Sequence, residues 1–156
     1  MHVPIKLSPH FSLSSEIRRA IDLDLPVVAL ESTVITHGLP SPQNLALAQD
    51  MEQEIRGQGA TPATIAVLGG VIRVGLSAPE LERLANAFFE AEPGKANLQR
   101  QLSNIGEADL SLQGKQVRKI SRRDFATAIL KKETGGTPVA GTLFAAARVG
   151  LTVFAT

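Results

Sequence analysis

The sequence predicts an α/β domain in which strands and helices alternate around a largely parallel or mixed sheet. Three observations predict it. Apolar runs at 26–30, 64–68 and 151–155 are bounded by Gly and Pro, the pattern of buried strands. Stretches of helical period lie between them, such as Leu81, Leu84, Ala85 and Phe88 at i, i+3, i+4 and i+7. Helix-capping serines stand ahead of those stretches, at Ser14, Ser41, Ser77 and Ser121. Strands that take turns with helices build a mostly parallel sheet.

Taken in order, residues 14–21 read as a short capped helix with Ile17 and Ile21 on one face. A strand follows at 26–30. Ser41-Pro42 opens the next helix, with Ser as the cap and Pro at the first helical position, where its missing N–H costs nothing. Ala48, Met51 and Ile55 line its inner face, Asp50, Glu52 and Glu54 stay wet, and it ends near Gly57 or Gly59. Residues 64–68 form a second strand that Gly69-Gly70 ends or bends, and 71–74 a third. Ser77 and Glu80 make a capping box for the helix that follows. Residues 117–120 read as a strand and Ser121 as a cap. The helix through Ile129-Leu130 carries Lys131-Lys132 in its last turn, where the helix dipole favours cations. Gly135-Gly136 makes a turn, a small-residue helix covers about 140–149, and Gly150 stops it before the last strand.

Composition narrows the function. A chain of 156 residues suits one domain with a sizeable core. It has six Phe and no Trp or Tyr, too few aromatic platforms for base stacking, and its formal charge of +1 offers no basic field to nucleic acid. The absence of Cys excludes disulfides, thiolate nucleophiles and Cys-based zinc sites. No run reaches membrane-spanning length and the amino terminus lacks a signal-peptide core, so a cytoplasmic location is the expectation.

The chemistry concentrates at Glu31, Ser32, Thr33, Thr36 and His37, between an apolar strand and Gly38. Polar groups packed among apolar runs are expensive to bury unless paired or used, and a carboxylate at a strand's carboxyl end sits where open α/β sheets place their sites. Taken alone, Glu31 reads first as an acid that caps a strand or pairs with a surface Lys; its polar neighbours shift the reading toward a site. His37 reads as a group that orients Glu31 or substrate, or as a structural imidazole. Lys119 ahead of Ser121-Arg122-Arg123-Asp124 reads as an anion cradle at a helix start or as a solvated basic turn. His2 and His10 have no metal spacing, and Gly69-Gly70 lacks the sequel of a P-loop or dinucleotide fold.

Several blocks run in one order: Leu30-Glu31-Ser32-Thr33-Val34-Ile35-Thr36-His37-Gly38, Pro42-Gln43-Asn44, Gly59-Ala60-Thr61-Pro62-Ala63-Thr64-Ile65-Ala66, Gly69-Gly70, Gly75-Leu76-Ser77 and Lys119-Ile120-Ser121-Arg122-Arg123-Asp124. Together they resemble the amino-terminal half of the pseudouridine-5′-phosphate glycosidases, or pseudouridylate synthases, over most of residues 12–90 and 117–156. The resemblance implies reversible cleavage of the C–C glycosidic bond of pseudouridine 5′-phosphate to uracil and ribose 5-phosphate. It implies Glu31 as proton donor, and Lys119 and the backbone of Val139 as substrate contacts; Thr33 and His37, which share the Glu31 loop, are the candidate supporting groups. A carboxylic acid held partly protonated suits a carbon leaving group. The resemblance also implies a lysine that forms an imine at C1′, a manganese ion, and a homo-oligomer, usually a trimer.

Two departures accompany it. The nucleophilic lysine and the metal-binding acid match no residue of this chain; Lys131 and Lys132 end an exposed helix. No metal ligand is expected within the chain, which ends in a strand and reads as a single partial domain, incomplete at its carboxyl terminus. The alternative is a catalytically silent remnant or a sugar-phosphate-binding or interaction protein; a relative acting on another C-glycoside is a third reading. The other departure is a polar insert at about 90–116, with Pro93-Gly94 and Gly114, which reads as a disordered surface loop or a gene-model error before it reads as a lid. Deleting residues 91–113 is expected to leave soluble yield and melting temperature unchanged; a large loss of either overturns the passive-loop reading.

Overall fold

The computed structural model describes residues 8–87 and 117–156. Phe88, His2 and the insert at 90–116 lie outside the described residues. The order is β1 (Phe11–Leu13), α1 (Ser15–Asp22), β2 (Val27–Leu30), a π-helical turn (Val34–Gly38), α2 (Gln43–Gly57), β3 (Thr61–Leu68), β4 (Val71–Val74) and α3 (Ala78–Ala87). Then come β5 (Arg118–Lys119), a 3-10 turn (Arg122–Asp124), α4 (Phe125–Leu130), β6 (Gly135–Gly136), α5 (Val139–Arg148) and β7 (Val153–Ala155).

The sheet is mixed and mostly parallel, as predicted. Its main path runs β1-β4-β3-β2-β7, with β6 on β3 and β5 on β6. Strand pairs β1–β4, β2–β3, β2–β7 and β5–β6 are parallel; β4 and β6 run antiparallel to β3. One edge of β3 is shared by two strands. β2 pairs with Thr61 to Thr64 in parallel, and β6 pairs with Ala66 and Val67 in the opposite sense, so the two approach head-on at Ile65.

β3 is buried on both faces, which is why it reads as a continuous apolar run rather than an alternating one. Its side chains still divide by parity. Ala63, Ile65 and Val67 join Ile17, Ala20, Phe125, Ala145 and Val149 in one core layer, under α1, α4 and α5. Ala66 joins Ile35, Ala48, Leu81, Leu84 and Ala85 in the other, under α2, α3 and the π turn. Pro62 fits because its missing donor faces the side that β4, starting its pairing at Ile65, does not reach.

Most caps act as read. Ser14 Oγ accepts from the Ile17 amide at 3.2 Å, Ser77 N and Oγ both donate to Glu80, and the Ser121 amide donates to Asp124 at 2.9 Å. Ser41 is a correction: α2 starts at Gln43 with Pro42 at its N-cap and no side-chain cap bond. Glu52 is another. It is half-buried, Thr64 Oγ1 donates to it at 2.6 Å, and burial pushes its carboxyl above the usual range despite that bond and nearby Arg56. Lys131 and Lys132 lie just past α4, not in its last turn.

Gly135-Gly136 is the instructive difference: these residues form strand β6, not a turn. A Cβ on Gly135 would collide with the Arg118 carbonyl, and one on Gly136 with the Thr36 hydroxyl and the Ser32 carbonyl. The glycines are there for close backbone approach. β1 has no counterpart in the sequence reading because three residues at a sheet edge carry too little pattern. Gly135→Ala is expected to destabilise the fold by about 1–3 kcal/mol, the usual cost of overpacking. Gly57→Ala, with nothing within 4 Å of the added Cβ, is expected to be neutral or to stabilise by up to about 1 kcal/mol. Urea denaturation of both variants checks the contrast; equal effects would contradict it.

Candidate active site

The site begins where β2 and β6 meet. Ile65 has its carbonyl turned toward that gap, where neither strand supplies a ladder amide. Two hydroxyls supply the donors instead: Ser32 Oγ at 2.6 Å and Thr137 Oγ1 at 2.7 Å. The Thr137 amide donates back to Ser32 Oγ at 2.9 Å, and the amides of Ser32 and Thr33 donate to the Thr137 carbonyl at 3.1 and 3.3 Å. Since the Thr137 hydroxyl proton serves Ile65, Thr142 is the donor in the 2.8 Å contact between the two threonines. Ser32, Thr137 and Thr142 are fully buried. Each such bond contributes about 1 kcal/mol net, but a partner left unmatched here costs about 1–3 kcal/mol. The junction thereby ties the residues after β2 to the start of α5.

Those residues carry the predicted groups. Glu31, half-buried, follows the last residue of β2, and its Oε1 accepts from Thr156 Oγ1 at 2.6 Å, just past β7. Thr33 Oγ1 is buried without a hydrogen-bond partner among the described residues. The π turn then holds Thr36 and His37. Asn44, buried on α2, pins that turn by donating to the carbonyls of Ile35 at 2.9 Å and Ala85 at 3.0 Å. Thr36 Oγ1 lies 2.7 Å from His37 Nδ1.

Lys119 ends β5 opposite Gly136, whose backbone packs against Ser32 and Thr36. This brings an exposed ammonium beside His37. Burial, and secondarily the Lys119 charge, hold the imidazole below its ordinary pKa. Val139, the first residue of α5, is 41% exposed and lies two residues from Thr137. Glu31, Thr33, His37, Lys119 and Val139 are thus carried to one end of the sheet by the junction, the π turn and β5.

The wider basic cradle is not assembled as read. Arg122 lies over the Phe144 ring, 5.2 Å from its centroid, and the Ser121 amide is engaged by Asp124. Of that cluster, Lys119 is the group the structure aligns with the rest of the site. Among the described residues no three His, Cys, Asp or Glu side chains come together as a metal-binding group, and no helix is long and apolar enough to cross a membrane. Sequence alone does not single out Thr137, Thr142, Asn44 or Thr156. Hydroxyls and an amide at the ends of apolar runs are the available signal; their partners are not, being up to 125 residues away.

A pH dependence follows from His37. Its folded pKa is depressed, so the unfolded chain binds that proton more tightly. The associated stability is complete above about pH 6.5, the unperturbed imidazole value, and is lost as pH falls through the folded value. The denaturation midpoint of the native chain is expected to drop more between pH 7 and pH 5 than that of His37→Gln. Parallel curves for the two proteins would contradict the assignment.

The model of the family described as indigoidine synthase A like protein matches residues 16–107 and 98–156. A pseudouridine-5′-phosphate glycosidase of Solibacter usitatus is 45% identical over 147 residues, 94% of this chain and 40% of the relative. Pseudouridine-5′-phosphate glycosidase 1 of Rhizobium johnstonii is 42% identical over 156 residues, all of this chain and 41% of the relative. Among solved structures, the prealnumycin C-glycosynthase AlnA in complex with ribulose 5-phosphate superposes with a TM-score of 0.68 at 34% identity, covering 96% of this chain and 39% of that one. The chain spans about two fifths of the length of the curated relatives it matches. On the extent of these matches, the chain belongs to the indigoidine synthase A like protein family.

Proposed function

We propose that this chain carries the acid and the substrate-anchoring groups of a C-glycosidase that cleaves pseudouridine 5′-phosphate, reversibly and with water, to uracil and ribose 5-phosphate in cytoplasmic nucleotide catabolism. The observation that carries the reading is the gathering of Glu31, Thr33, His37 and Lys119 at one sheet end. The relatives named as pseudouridine-5′-phosphate glycosidases support it. AlnA, a C-glycosynthase solved with ribulose 5-phosphate, adds C-glycoside chemistry and a bound sugar phosphate.

In the proposed step the carbon–carbon bond at C1′ breaks, its electron pair leaves with the base, and the base carbon takes the proton of the Glu31 carboxyl; C1′ ends bonded to the oxygen of water, one proton of which restores the carboxyl. Thr156 holds Oε1, so Oε2 is the oxygen assigned to carry that proton. Lys119 anchors the phosphate as a point charge, His37 adds a polar contact, and the Val139 backbone meets the sugar. Thr33 Oγ1, buried two residues along from Glu31 and without a partner among the described residues, gains one in a substrate oxygen. The imine-forming lysine is assigned to none of the lysines described here. The resemblance adds manganese and a trimer to the proposal. The acids and imidazoles of the described residues do not by themselves fit the metal, and no step assigned to them runs through it.

Two measurements test the reading. The 156-residue chain alone, given pseudouridine 5′-phosphate and manganese, is expected to release no uracil and to leave no adduct on borohydride reduction; a trapped lysine adduct would overturn the assignment of the nucleophile. A chimera in which this chain replaces the matched part of the Solibacter relative is expected to release uracil, and Glu31→Gln to slow it about 10²–10⁴-fold, the range for general acid catalysis. An unchanged rate in Glu31→Gln would sink the proton-donor role. In the same chimera Thr33→Val is expected to raise KM while leaving thermal stability equal or higher, because it removes a buried hydroxyl with no partner. A destabilised variant with normal KM would contradict that role.

A further inference from the structure

We propose that Thr36 is a positioning residue that decides which nitrogen of His37 bears hydrogen: its hydroxyl donates to Nδ1, and the ring is held as the Nε2–H tautomer. This rests on the reading of the sheet end as a sugar-phosphate site only for its consequence, not for the assignment itself.

The assignment follows from counting one proton. Thr36 is fully buried, and its Oγ1 has three neighbours that could take the hydroxyl hydrogen. The carbonyls of Ser32 and Thr33 are each 3.4 Å away, while His37 Nδ1 is 2.7 Å away. Hydrogen bonds from hydroxyl to oxygen cluster at about 2.7–2.8 Å and run to about 3.0 Å. The two carbonyls are therefore poor acceptors. That of Ser32 is also already served by the backbone, accepting from the amides of Ile35 at 3.1 Å and Thr36 at 3.2 Å. If Nδ1 donated instead, the hydroxyl hydrogen would be left with only the long contacts. In a buried position that is the poorer arrangement.

Thr36 Oγ1 is also closely packed. The Gly136 backbone packs against Thr36 Oγ1 so closely that a Cβ there would collide with it. Burial and the Lys119 charge favour the uncharged ring, which has one donor nitrogen and one acceptor nitrogen. Nδ1 being the acceptor, Nε2 carries the hydrogen. The Nε2 position of His37 is then a neutral N–H donor rather than an acceptor, whatever group it meets. His37 is not a general base through Nε2.

The test is long-range proton–nitrogen NMR of the full chain, labelled at the histidine rings, at about pH 8, above the ordinary imidazole pKa of about 6.5. His2→Gln and His10→Gln leave a single ring to assign. The expected result is an Nδ1 without hydrogen, and a Thr36 hydroxyl proton protected from exchange and coupled to Nδ1 across the hydrogen bond. Thr36→Ser is expected to preserve this pattern, and Thr36→Val to replace it with a mixture of tautomers in a folded spectrum. Hydrogen on Nδ1 in the native chain overturns the proposal, as does an unchanged ring in Thr36→Val. Should Thr36→Val not fold, the native and Thr36→Ser spectra decide. No substrate or turnover enters, so a failed glycosidase assay leaves this result standing, and the reverse holds too.

Discussion

The carbonyl of Ile65 is the point on which the rest of this structure depends. Two strands of opposite sense meet along one edge of β3, and the sheet ladder has no amide to offer where they meet. Ser32 and Thr137, 105 residues apart, fill that position together and bond to each other as they do so. The consequence is geometric. The residues leaving β2 and the residues entering α5 cannot drift independently, so the acid, the π turn and the start of the last helix keep a fixed relation. Because every member is buried, the lock has no water to substitute for a lost partner.

The junction also explains why small residues crowd this end of the sheet. β6 has to slip between β3, β5 and the π turn, and only glycine clears the carbonyls of Arg118 and Ser32 and the Thr36 hydroxyl. Lys119 reaches the site because β5 pairs with that glycine strand. The insert at about 90–116, which precedes β5 in sequence, joins α3 to a strand whose own position is set by β6.

Much of the fold is legible in the sequence, for reasons that differ by element. β3 and α1 carry strong local signals: the apolar run that ends at Leu68 in one case, a serine cap with Ile17 and Ile21 on one face in the other, though the structure buries Ala20 beside Ile17 more fully than Ile21. Gly135-Gly136 reads as a turn because glycine pairs usually are; its true reason is crowding by residues distant in sequence. Glu52 looks like a solvent-facing helix residue until Thr64 of the packed strand is in place. At the site, the block from Glu31 to His37 stands out as polar groups among apolar ones. What sequence does not hold is the neighbour that each group meets: Thr156 for Glu31, Thr137 for Ser32, and the Lys119 charge that acts on His37. Those pairings exist only once the sheet has formed.

The sheet offers ligands two ends. At the amino-terminal ends of β2 and β7 lies a cleft of about 410 Å³, lined by Asp24, Leu25, Val27, Val149 and Val153 among others. Its lining is mostly aliphatic and its one acid has no cation in the wall. The opposite end has the acid, the ammonium, the imidazole and the orphan hydroxyl, at the carboxyl end of β2 where α/β sheets hold ligands. Titrating the labelled chain with ribose 5-phosphate and following amide shifts separates the two most directly. Shifts are expected at Glu31, Thr33, His37, Lys119 and Val139. Shifts at Asp24, Leu25 and Val149, or none anywhere, would contradict the placement of the site at the carboxyl end of β2.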